Sequence, residues 1–142
     1  MSENDARPRS AGPGTRLRIE PRWTDLDPQG HVTNSVFLVY AEEARARYLR
    51  DLVPGVWNSI VVVHNSVDYH APVFETDVVE IVSSIERVGT SSLTTVSEMS
   101  TARGRCATVR TVQVVLGEDG TKSRPWTEPE RAALNGALAK EG

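Results

Sequence analysis

The chain has 142 residues, a length that suits one domain and lets a fold bury roughly two-thirds of its extended surface without a disulfide or metal staple. Its formal charge of −3 weighs against non-specific nucleic-acid binding, and its single cysteine excludes an internal disulfide. No apolar run approaches the roughly 18 residues of a membrane span, and the start MSENDARPRSAGPGT lacks the apolar core of a signal peptide, so a cytoplasmic protein is expected.

Residues 1–14 are rich in Pro, Gly, Arg and Ser and predict a mobile tail, leaving 15–142 as the folded domain. From Arg16 to Trp23 apolar and polar residues alternate, which predicts a strand with one buried face, and Pro21 places it at an edge or bulge. VFLVYAEEARARYLRDL follows, with Val36, Phe37, Tyr40, Ala41, Ala44 and Tyr48 on one helical stripe. Thr33 or Asn34 is the expected N-cap, and Pro54-Gly55 the stop. Leu38 and Leu49 fall off the stripe, so this helix over about 34–52 is expected to be covered on more than one side. Four strands come next: Ile60 to Tyr69, Val78 to Val88, Leu93 to Ser100 and Cys106 to Leu116. Val88-Gly89-Thr90-Ser91 and Arg103-Gly104 suit hairpins, and Asp119-Gly120 a turn after the last strand. A short tail helix is expected from Thr127, with Glu130 completing a capping box. Antiparallel strands with one long helix make an α+β domain, and the helix can bury its stripe only if the sheet curls around it.

The segment DLDPQGHVTNS, residues 25–35, sets Asp25, Asp27 and His31 between the first strand and the helix. A helix start offers unpaired N–H groups that favour negative charge and can polarise a carbonyl oxygen. A carboxylate beside them can attack that carbonyl or activate water, and Gly30 lets a ligand approach the backbone. The same residues also serve as plain turn caps with a solvated histidine. Spacing alone leaves both readings open.

RWTDLDPQGHVTNSVFLVYAEEARARYL resembles the signature of the hotdog-fold thioesterases of the 4-hydroxybenzoyl-CoA thioesterase family: D-x-D, H-V-x-N, then a helix carrying E-x-A-R. VDYHAPVFETDVVEIVSSIERVGTSS resembles the family's second block. The resemblance implies a hotdog fold, a curled antiparallel sheet of about five strands wrapped around one long helix, and an acyl-CoA thioesterase. It makes Asp27 the catalytic aspartate, as nucleophile or as general base, and sets the amides of Gly30, His31 and Val32 around the thioester oxygen. His31 and Asn34 also match the H-V-N-N pattern of acyl-carrier-protein thioesterases, from which Gln29 and Thr33 depart. Asp25 is expected to brace the turn. Gly89, Thr90, Ser91 and Ser92 match the stretch along the pantetheine arm, where a plain hairpin needs the same residue types. Asn65, Asp68 or His70 is expected to line the pocket. No cofactor is implied beyond coenzyme A within the substrate. The partner implied is a second copy, as homodimer or homotetramer with the active site between subunits, with no nucleic acid and no membrane.

Several alternatives stand beside this. Glu42 and Glu43 could replace Asp27, but a surface charge pair with Arg45 and Arg47 explains them more simply. Arg87, Arg103 and Arg105 suit nucleotide phosphates or a solvated face. His64, Asp68 and His70 share one strand face at even spacing, which could hold zinc but fits no standard zinc signature. A non-catalytic acyl-thioester-binding module is the remaining class, and it would have no use for Asp27.

Overall fold

The computed structural model of the chain describes residues 15–141; the expected tail over 1–14 lies outside the described residues. Five strands form one antiparallel sheet: β1 (Thr15–Ile19), β2 (Ile60–Tyr69), β3 (Val79–Val88), β4 (Ser92–Thr101) and β5 (Gly104–Val115), in the order β1-β3-β4-β5-β2. The long helix α1 (Val36–Leu52) lies in the concave face, and a second helix, α2 (Glu128–Glu141), follows the last strand.

Several of the expected boundaries move, three of them for local reasons. β1 stops at Ile19 instead of Trp23, because Pro21 has no N–H for the ladder and Trp23–Asp25 winds into a 3-10 turn. Helix α1 starts at Val36, and neither Thr33 nor Asn34 caps it with a side chain. The last strand begins earlier than expected, at Gly104, whose φ of 121° closes the β4–β5 hairpin.

Register puts Val79, Ile81, Ser83 and Ile85 of β3 on the same inner face as Met99, Ser97, Thr95 and Leu93 of β4 and Ala107, Val109, Thr111 and Gln113 of β5. The core under α1 is therefore not uniformly apolar. One cluster gathers Val32, Phe37, Tyr40, Ala41, Val79, Ile81 and Met99 at the N-terminal half of α1. Another gathers Tyr48, Leu49, Ile85, Leu93, Val115, Trp126 and Leu134 at its C-terminal half. A waist of buried Ser83, Ser97, Thr95, Thr111 and Gln113 lies between them, held by side-chain hydrogen bonds such as Gln113 Nε2 to the Leu93 carbonyl at 3.1 Å.

The off-stripe Leu49 and Leu134 of α2 are both fully buried in the second cluster, so α2 joins the sheet in closing the core at the C-terminal half of α1. Thr127 and Glu130 form the expected capping box: Glu130 Oε1 accepts from the Thr127 amide at 2.9 Å, and Thr127 Oγ1 from the Glu130 amide at 3.3 Å. The Arg124 guanidinium, paired with Glu130 at 2.8 Å, is the main reason that carboxyl is held down at about 2.

Because this folded value lies below the roughly 4.3 of an unfolded glutamate, the stabilisation is complete above that and is lost as pH falls toward 2. Glu130→Gln should therefore cost about 1–2 kcal/mol at pH 7. Its melting temperature should converge on that of the parent protein near pH 2, which thermal melts across pH will show.

Candidate active site

The turn from Trp23 to Ser35 is built around Asp25. Asp25 is 2% exposed, and its carboxylate accepts from the Arg22 amide at 2.9 Å, the Arg22 guanidinium at 3.1 Å and the Tyr40 hydroxyl at 2.7 Å. Its backbone carbonyl takes the Thr33 amide at 2.9 Å. Burial pushes the carboxyl upward, but the Arg22 amide, the Arg22 side chain and Tyr40 outweigh it and hold Asp25 below its ordinary value. Tyr40 is pushed up by burial and by Asp25, so its hydroxyl stays protonated as donor. Asp25 is a brace, as expected, and its partners Arg22 and Tyr40 were not singled out from the sequence.

With Asp25 fixed, Asp27 stands two residues further on a reverse turn. Its backbone N–H donates to the His31 carbonyl at 2.7 Å, and its carbonyl accepts from the Gly30 amide at 3.0 Å. Gly30 has a φ of 84°, which a side chain would strain. The carboxylate is half-buried, and its Oδ1 accepts from the amides of Gln29 and His31, each at 2.9 Å. Those two bonds fix the carboxylate plane and leave Oδ2 without a hydrogen bond among the described residues. An oriented carboxylate with one open oxygen at a helix start is chemically competent to attack a carbonyl or to take a proton from water.

The three amides expected to receive a carbonyl oxygen are already engaged: Gly30 with the Asp27 carbonyl, His31 with Asp27 Oδ1, and Val32 with the Val73 carbonyl at 2.8 Å. The amides of Asn34 and Ser35 carry no hydrogen bond among the described residues. They are the open donors at the start of α1. The Asn34 carbonyl accepts from the Tyr69 hydroxyl at 3.0 Å, which joins the turn to the end of β2.

His31 packs edge-on to Phe74 with ring centroids 5.0 Å apart. Phe74 lies under the Arg103 guanidinium at 5.0 Å, and Arg103 is ion-paired to Asp77 and donates to the Pro72 carbonyl at 3.0 Å. Arg103 holds the Asp77 carboxyl below its ordinary range. Arg103 is therefore a clasp on the 72–77 loop. Arg105 joins Glu98, Thr108 and His70 on the outer sheet face.

Other expected positions separate. Gly89, Thr90, Ser91 and Ser92 form the β3–β4 hairpin, at the opposite end of β3 from the 72–77 loop that meets Asp27. α2 and the segment before it grip that hairpin: Arg131 of α2 donates to the Gly89 carbonyl at 3.1 Å, and the indole of the preceding Trp126 donates to the Ser92 carbonyl at 3.1 Å. A Cβ at Gly89 would collide with Ser92 Oγ. Asn65 lies mid-β2 on the inner face, its Oδ1 accepting from Thr111 at 2.7 Å. His64 and Asp68 pair in register with Val112 and Thr108 on the outer face, and His70 Nε2 is 3.0 Å from Thr108 Oγ1. They therefore do not line a pocket beside α1, and no group of three or more His, Cys, Asp or Glu that could hold a metal occurs among the described residues. Cys106 is buried, and burial first, with Asp77 adding, pushes its thiol up to about 11, so it is no nucleophile. Glu43 pairs with Arg47 at 2.9 Å on the exposed face of α1. Arg45, expected on that surface too, is buried.

The sequence model of the thioesterase-like superfamily matches residues 21–134, the span from the Asp25 brace to α2, and the chain belongs to that family. It is a thioester hydrolase with the hotdog fold. A thioesterase of Thermus thermophilus, solved with coenzyme A and zinc, is 32% identical over 87% of this chain and 93% of its own, with a TM-score of 0.81. A predicted thioesterase from Bacillus stearothermophilus is 26% identical over 86% of this chain and 94% of its own, with a TM-score of 0.79. The uncharacterized protein YsmA of Bacillus subtilis (strain 168) is 28% identical over 82% of each chain.

Asp25→Asn should cost about 2–4 kcal/mol at pH 7, because the neutral amide places an N–H against the Arg22 and Tyr40 donors. The folded carboxyl lies below its unfolded value of about 3.9, so its stabilisation is full above that and lost as pH falls through the folded value. Chemical denaturation at pH 7 and pH 3 should show the variant's deficit shrinking at the lower pH.

Proposed function

We propose that the protein hydrolyses an acyl-CoA thioester to a free acid and coenzyme A, with Asp27 as the catalytic residue. The observation that carries this is the carboxylate of Asp27, tied through Oδ1 to two amides with Oδ2 open, on the turn that leads into α1 through the unpaired amides of Asn34 and Ser35. The thioester oxygen faces those two amides, which stabilise the charge it gains when the carbonyl carbon is attacked. Asp27 either attacks that carbon itself, or takes a proton from a water that attacks. In both routes the C–S bond breaks and the thiolate leaves to be protonated. In the first, water then cleaves the acyl-aspartyl anhydride. Coenzyme A enters as part of the substrate, and the Thermus relative solved with coenzyme A and zinc supports a coenzyme A ligand on this fold. A cytoplasmic setting, where acyl-CoA and a free thiol coexist, suits this reading.

The protein is proposed to act as a dimer joined along β2. β2 is one of the two edges of the sheet and the longer, ten residues against five in β1, with Val61, Val62 and Val63 at 42%, 43% and 59% exposure. Such an edge is a template for pairing. An antiparallel twofold across β2 sets the Ile60 end of one copy against the Tyr69 end of the other. The Gly89–Ser92 hairpin is tied to the Ile60 end, since the Ser91 carbonyl accepts from Val115 and Val115 pairs with Ile60. Asp27 is tied to the Tyr69 end through Asn34. Two residue groups far apart in one protomer thereby approach across the pair, the hairpin of one copy reaching the pantetheine arm held at the turn of the other.

Asp27→Asn should lower kcat by about two to four powers of ten while melting temperature and size are kept, read by thiol release over a panel of acyl-CoAs. Undiminished turnover would falsify the assignment, and binding without turnover in the parent protein would favour a module that only binds. Val63→Lys should place charge in the paired edge and give a monomer by light scattering, with activity falling in step.

A further inference from the structure

Two charged side chains are buried among the described residues, Asp25 and Arg45. Asp25 is clamped on every side; Arg45 is not. Arg45 is 5% exposed, its Nε has no hydrogen-bond partner, and it forms no ion pair among the described residues. Glu42, one turn earlier, is exposed and acts on it only at longer range. A guanidinium taken out of water without an anion is costly, and folds rarely keep one unless something supplies the counter-charge.

Its position says where that charge would come from. Arg45 shares a flank of α1 with Leu38, Leu49 and Leu52, seven, four and seven residues away. Its guanidinium lies over the Trp57 ring at 5.2 Å, and Trp57 belongs to the 3-10 turn that leads into β2. The inner face of β2 carries Val62, Asn65, Val67 and Tyr69, yet Val62 and Tyr69 are 43% and 47% exposed, because α1 lies over β1, β3, β4 and β5. Beside that flank of α1 the inner face of β2 is open at Val62 and Tyr69, which outlines a trough between helix and strand. It begins at Tyr69, which touches Phe37 at 5.3 Å and the Asn34 carbonyl at 3.0 Å beside the catalytic turn. It ends at Trp57 and Arg45, eleven residues along the chain from Asn34, or roughly 16 Å at the helical rise.

We infer that this trough takes the acyl part of the substrate, and that the acyl group ends in a carboxylate paired with Arg45. The apolar wall of Leu38, Val62 and Val67 suits a methylene chain, while the buried guanidinium at the far end discriminates against one that ends in methyl. This rests on the thioesterase reading, whose catalytic turn supplies the near end. Arg45 is then a specificity-determining residue, remote from the bond that breaks.

The test compares sebacoyl-CoA with decanoyl-CoA, equal in length and different only at the terminus. The parent protein should favour sebacoyl-CoA in kcat/KM by about 10- to 100-fold, as expected for a charge-assisted pair. Arg45→Met should bring the ratio to one or below, and Arg45→Lys should restore part of it. Should Arg45→Met fail to fold, the parent ratio and Arg45→Lys decide. A parent ratio of one or less overturns the inference. So does an Arg45→Met protein that loses both activities equally and becomes monomeric, since Arg45 would then be pairing with a carboxylate of the second copy. Calorimetric binding to Asp27→Asn separates the two readings: tighter binding of sebacoyl-CoA without turnover by the parent keeps the carboxylate site and removes the hydrolase, and equal binding removes the site.

Discussion

The site depends on a buried carboxylate that does no chemistry. Asp25 gathers an amide and a guanidinium from Arg22, a phenol from Tyr40 on α1, and through its carbonyl the amide of Thr33. Those contacts fix the end of β1, the turn and the first buried turn of α1 relative to one another. Beyond those contacts the turn that carries Asp27 is held by its own backbone bonds and by ties to Val73 and Phe74, while Trp23 is 78% exposed and Pro28 and Gln29 face solvent. An aspartate suits this role because its ionised form accepts several donors at once, and burial raises the penalty for losing any one of them. Precision at Asp27 is thus supplied by its neighbour two residues before it.

A division of labour follows along the D-x-D pair. Asp25 is saturated and Asp27 is half satisfied. Two amides hold Asp27 Oδ1 in place, and the other oxygen stays without a hydrogen bond among the described residues. The fold then repeats this logic on a larger scale, leaving unsatisfied what a ligand or a second copy can satisfy: the free edge of β2, the uncovered inner faces of Val62 and Tyr69, and the guanidinium of Arg45.

Much of this was legible in the chain. The strand reading of Ile60 to Tyr69 matches β2 residue for residue, and turn chemistry located the hairpins at Gly89 and Gly104. The capping box at Thr127 announced α2, although nothing in it showed that Leu134 would join the core. The motif around Asp27 pointed to a turn on which the structure shows an oriented carboxylate. What stayed hidden was set by contacts across the chain. Tyr40 read as one more apolar residue of a stripe, because nothing local reveals that its hydroxyl reaches Asp25. Arg45 read as surface charge beside Glu42, because its burial depends on Trp57 a dozen residues on. The amides of Gly30, His31 and Val32 looked free because their acceptors come from the turn itself and from Val73.

The apolar core is parted by the belt of Ser83, Ser97, Thr95, Thr111 and Gln113, so the Asp27 end and the α2 end are packed as separate clusters sharing one helix. Changes at well-separated positions add nearly independently. A cavity opened at Leu134 therefore weakens its own cluster and leaves the hydrogen bonds around Asp27 in the same protomer unstrained.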